Sequence, residues 1–191
     1  MSDPMQNQDP SPPASDAAAV IAFWREAGPE RWFVKDDIFD KRFRSHCSAL
    51  YEKAARGELD SWLADPEGAL ALILLLDQFP RNCFRGTPRM FATDAAALAA
   101  ASAAVAAGHD RAIDPSLRLF LYLPFEHSES LADQDRSVAL ITPLGEELLA
   151  YAEDHRAIIR RFGRFPHRNA ILGRETTPEE QRFLDEGGFA G

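Results

Sequence analysis

The sequence predicts an all-α fold in which antiparallel helix pairs stack as a bundle or short solenoid, with no sheet. Three observations carry this expectation. Asp65-Pro66-Glu67, Thr87-Pro88, Asp114-Pro115 and Thr177-Pro178-Glu179-Glu180 each set a capping side chain directly before a proline suited to the first helical position. Gly28, Gly57, Gly108, Gly163 and Gly187 each follow an apolar-periodic segment, where a helix is left through the left-handed conformation. No stretch alternates apolar and polar residues between hairpin turns, so no strand is predicted.

Residues 1–15 are rich in Pro, Ser, Asp and Gln and have no apolar periodicity, which reads as a disordered tail before a single helical domain over 16–191. The chain's 191 residues suit one hydrophobic core, since two would leave each half too small to bury much apolar surface. Helical spacing places helices near 16–27, 36–55, 66–79, 88–107, 115–123, 128–141, 145–161 and 178–186, with a short turn around 58–64. Short connections between them favour antiparallel neighbours. The segment 66–79 is apolar all round, as befits the central element, whereas 88–107 is mostly Ala and lets its neighbours approach closely.

Composition excludes several classes of function. The formal charge of −9 opposes general nucleic-acid binding. The longest apolar run, Ala69 to Leu76, is far below the roughly 20 residues of a spanning helix, so no membrane role is expected. The N-terminus lacks a secretory pattern, and Cys47 and Cys83 lack metal-type spacing; both features point to a cytoplasmic protein with reduced, buried thiols. No nucleophile elbow, phosphate loop, dinucleotide fingerprint or His-Glu-x-x-His occurs, and no metal or cofactor is predicted.

Three segments carry candidate chemistry. Phe79-Pro80-Arg81-Asn82, followed by Arg85, is echoed by Phe165-Pro166-His167-Arg168-Asn169. Each reads as a turn after a helix ended by proline, offering guanidinium and amide groups to an anion, or else capping the last carbonyls. Between them, Pro124-Phe125-Glu126-His127-Ser128-Glu129 leads into Asp133 and Arg136, placing Glu126, Glu129, Asp133 and Arg136 on one helix face. His155 falls on an apolar stripe with Leu148, Tyr151, Ala152, Ile158, Ile159 and Phe162, and Asp77 is embedded in an apolar helix. A buried Asp needs a partner, so Asp77, His155 and nearby Arg residues form either a core network or an acid–base site.

These blocks, together with Phe162-Gly163-Arg164, resemble the signature blocks of the domain of unknown function 924 family, and the resemblance runs from about Ala19 to Phe189. It implies the stacked helix pairs of the tetratricopeptide-like superfamily and brings no activity with it. The leading expectation is one pocket for a small anionic molecule. Arg81, Arg164 and Arg168 would hold the anion, with Asn82, Arg85, His167 and Asn169 around it. His127 and His155, poised by Glu126, Glu129 or Asp77, would move protons. The alternatives are an interaction module that takes a peptide or protein partner in a helical groove, and a scaffold in which the polar blocks only pin helix ends.

Overall fold

A computed structural model of the chain describes residues 15–189, and every regular element among them is helical. Residues 1–14, which hold nearly all of the expected tail, lie outside the described residues, as do 190 and 191. Ser15 belongs to the fold: its hydroxyl accepts from the Ala18 amide and caps α1 (Asp16–Ala27).

A single turn, α2 (Pro29–Trp32), precedes α3 (Asp37–Ala55), which opens on the Asp36 carboxylate. Next, α4 (Pro66–Ile73) starts as predicted, with Asp65 accepting from the Gly68 amide. Its expected end before Pro80 is corrected by the structure. The chain widens into a π-helical stretch (Leu74–Gln78) and continues as α5 (Phe79–Cys83), with Phe79 N–H donating to the Leu74 carbonyl. Pro80 has no N–H for the Leu76 carbonyl four residues back, and the buried Thr93 hydroxyl donates to it at 2.6 Å. Proline interrupts a helix when its orphaned carbonyl finds no other donor; here a tertiary donor is in place.

Thr87-Pro88 opens only a 3₁₀ turn (Pro88–Phe91), because the Thr87 hydroxyl bonds back to the Phe84 carbonyl instead of capping. The Ala-rich helix α6 therefore spans Asp94–Ala106. Asp114-Pro115 likewise starts a 3₁₀ turn, and α7 (Leu119–Glu126) runs through Pro124 rather than ending at it. Because α8 (Leu131–Ile141) begins after Ser130, Glu126 and Glu129 lie outside it, and the expected face shared with Asp133 and Arg136 does not form. Then come α9 (Glu146–Phe162), the single turn α10 (Asn169–Leu172) and α11 (Pro178–Asp185). Gly163 ends α9 in the left-handed conformation at φ 69°, and Thr177 with Glu180 forms the capping box of α11.

Buried from Gly68 to Ile73, α4 packs against α1, α6 and α7, while α8 and α9 form an adjacent pair. Ala97, Ala100, Ala101 and Ala104 give α6 a small-residue face that permits close approach. Aromatic rings of Trp24, Phe39, Phe43, Phe79 and Phe120 fill one end of the core. A smaller apolar cluster of Ile158, Ile159 and Phe165, with Phe162 and Phe183, stands apart. Tyr151, expected on the buried stripe of α9, is 57% exposed. Among the described residues no helix is long and apolar enough to cross a membrane. Cys47 and Cys83 are free and buried, and burial pushes their thiols up to about 11 and about 12.

Candidate functional site

Where the smaller cluster meets the main core, the chain buries a polar group around Asp77. Asp77 lies in the π-helical stretch and is 1% exposed. Its Oδ1 accepts from His127 Nδ1 at 2.8 Å and lies 3.0 Å from Arg81 Nη1, while Oδ2 accepts from Gln78 Nε2 at 2.7 Å. Burial opposes the charge, but Arg81 and His127 outweigh it and hold the carboxyl at about 2. Asp77 can only accept, so His127 Nδ1 carries the proton and Nε2 is left as an acceptor. No hydrogen bond reaches Nε2 among the described residues. Burial, and then Arg81, lower the His127 imidazole below its usual value and keep it neutral at neutral pH. A neutral imidazole oriented by a buried carboxylate is equipped to accept a proton.

Two guanidinium groups border this pair. Arg81 grips Asp94 bidentately at 2.8 and 3.1 Å and also donates to the Asp77 carbonyl. Arg168 reaches the same Asp94 at 3.3 Å, donates to the His127 carbonyl at 3.0 Å, and lies between Phe91 and Phe165, 4.7 and 4.5 Å from their ring centres. Burial, then Arg81, bring Arg168 down to about 10, and its Nε is buried without a hydrogen-bond partner among the described residues. Arg81 thus makes three hydrogen bonds, whereas Arg168 makes two and keeps its Nε unpaired among the described residues.

Glu126 and His155 adjoin. The Glu126 carboxyl is buried and, through burial and the charge of Asp77, is raised to about 8, so it carries its proton at neutral pH. His155 Nδ1 bonds the Tyr151 carbonyl at 2.8 Å and lies 3.5 Å from Glu126 Oε1. Burial lowers His155 to about 4, and burial with Arg168 lowers His167 to about 3. His167 packs on Phe165 and Phe189 rather than on the Asp77 group.

The other expected site residues are occupied elsewhere. Asn82 and Arg85 both bond Asp40, at 2.9 and 3.0 Å, tying α5 and the turn after it to α3. Arg164 forks onto Glu180 at 2.6 and 2.8 Å, and Asn169 donates to the same carboxylate at 3.3 Å. Glu129 is held bidentately by Arg174 and accepts from the Phe165 amide. Each of these side chains is paired with a carboxylate or guanidinium, and none of them hydrogen-bonds the Asp77–His127 pair.

Sequence reading did not assign Asp94, Phe91, Asp40 or Arg174 to the site. Asp40 had a legible signal, since a carboxylate on the stripe of Phe43, Cys47 and Tyr51 at helical spacing requires a buried partner. Among the described residues no group of three His, Cys, Asp or Glu side chains could hold a metal ion.

A family model described as bacterial protein of unknown function, DUF924, matches residues 20–188. A solved structure of the protein of unknown function ATU0120 from Agrobacterium tumefaciens is 55% identical. It superposes with a TM-score of 0.88 over 90% of this chain and 97% of that one. A search of curated proteins returned no match.

Proposed function

Because the chain belongs to the DUF924 family of bacterial proteins of unknown function, its activity must be read from its own side chains, and we propose that it binds a small anionic molecule and moves a proton on it through His127. The observation that carries this reading is the 2.8 Å pairing of His127 Nδ1 with the buried Asp77 carboxylate, which leaves Nε2 without a partner among the described residues, while Arg168 bonds the carbonyl of the same histidine. With Glu126 and the histidines neutral, two carboxylates and two guanidinium groups balance, so an entering anion meets no net repulsion. The anion takes Arg168, the neutral imidazole accepts a proton, and protonated Glu126 is the donor. Arg81 positions Asp77 and Asp94. The two free buried thiols suit a reducing cytoplasm.

The test is a thermal-shift screen of anionic metabolites on the wild type, Arg168→Ala and His127→Gln, since a ligand that binds the native state raises its melting temperature. A hit lost in Arg168→Ala and kept in His127→Gln is the expected pattern. Hits that survive Arg168→Ala unchanged, or a complete lack of hits with the wild type, would overturn the reading.

A further inference from the structure

A separate groove of ≈ 410 Å³ opens along α9 and shares only His155 with the polar group described above. That volume lies within the roughly 300–1,000 Å³ of small-molecule sites. Its walls are chiefly aromatic and aliphatic, from Ile158, Phe162, Phe183 and Phe189. Phe189 is folded back into it: a Cβ on Gly188 would lie 2.5 Å from the Phe183 carbonyl, so only glycine permits this turn, and the Phe189 ring then meets His155 at 4.5 Å. Chain stereochemistry thus completes the wall.

The groove carries one cation. The Arg161 guanidinium carbon lies 4.7 Å from the Phe162 ring centre and 5.8 Å from that of Phe183. Its Nε donates to Glu179, and its two terminal nitrogens have no partner among the described residues. Arg161 is half-exposed, so its charge faces the opening. Asp154 also lines the groove, but it stands two helical turns away along α9, about 10 Å by helix rise. It repels a second negative charge at that end. At the inner wall His155 has Nδ1 committed to the Tyr151 carbonyl, so Nε2 remains to receive a donor.

We propose that this groove binds a small aromatic monoanion, with its ring against Phe162 and Phe183 and its acidic group on the terminal nitrogens of Arg161. This site stands independently of the reading at His127, because none of its anchoring residues takes part there. Planar apolar walls select an aromatic body, and a single available guanidinium fork selects one acidic group.

The probe is 8-anilinonaphthalene-1-sulfonate, titrated by fluorescence into the full chain, with uncharged N-phenyl-1-naphthylamine in parallel. Expected are saturable binding of the sulfonate, about tenfold weaker in Arg161→Gln, and a less than about twofold change for the uncharged dye. Ala157→Trp, which fills the groove from an exposed position, should abolish both. Phe33→Ala, at the other apolar groove of ≈ 330 Å³, and Arg168→Ala should change neither, which separates this site from both. Melting curves establish that each variant is folded. Binding that persists in Ala157→Trp, falls in Phe33→Ala, or is indifferent to Arg161→Gln overturns the proposal.

Discussion

Thr93→Val removes one hydroxyl and keeps the shape of the side chain. The hydroxyl donates at 2.6 Å to the carbonyl of Leu76 in a buried setting, at the place where Pro80 supplies no amide. Leaving a buried carbonyl without this donor costs about 1–3 kcal/mol. For a chain of this size, that corresponds to a fall in melting temperature of roughly 2–10 °C. The decisive measurement is a double-mutant cycle with Pro80→Ala, followed by urea unfolding. Alanine restores an N–H four residues after Leu76, so Thr93→Val should cost at least about 0.5 kcal/mol less in that background. The pair also reports on the π-helical stretch, since a regular helix would re-aim Asp77 away from His127. The ring nitrogen resonances of His127 should then shift in Pro80→Ala. Equal costs of Thr93→Val in both backgrounds, or a cost near zero in the wild type, would refute the account of how Pro80 is accommodated.

Two further outcomes are expected. The Glu126 carboxyl titrates near 4.5 when unfolded and is raised to about 8 when folded. Stability held by its proton is therefore complete below pH 4.5 and lost as pH rises through 8; Glu126→Gln should remain level where the wild type loses a few kcal/mol, at roughly 1.4 kcal/mol per pH unit. Denaturant midpoints between pH 5 and 9 decide this, and parallel curves for the two proteins would contradict a protonated Glu126. Arg164→Ala, which strips Glu180 of its bidentate partner, should lower the melting temperature by several degrees (about 3–8 °C). The same variant should leave every Arg168-dependent ligand shift in place, and loss of those shifts would return Arg164 to the ligand site.

Local rules were legible in the sequence. Asp65 and Thr177 cap the helices they precede and Gly163 ends α9, because capping depends on residues only a few positions apart. Prolines misled at Pro80, where Thr93 gives the Leu76 carbonyl a donor, and at Pro124, which lies inside α7. The turns α2 and α10 are too short for any periodicity to register. At the candidate site, Asp77 and His155 announced themselves as polar residues in apolar surroundings. Their partners did not: Arg168 meets Asp94 across 74 positions and Arg85 meets Asp40 across 45. With 18 Arg in the chain, charge alone does not say which carboxylate each one will find.

Under the proposed binding at Arg168, the carboxylate of Asp94, gripped by Arg81 and touched by Arg168, is a resident competitor. Being tethered to the same chain, it presents itself to Arg168 at an effective concentration that freely diffusing chloride or acetate does not match. The proposed site would thereby turn away background anions and admit molecules whose denser charge and matched geometry can dislodge an acid already in place.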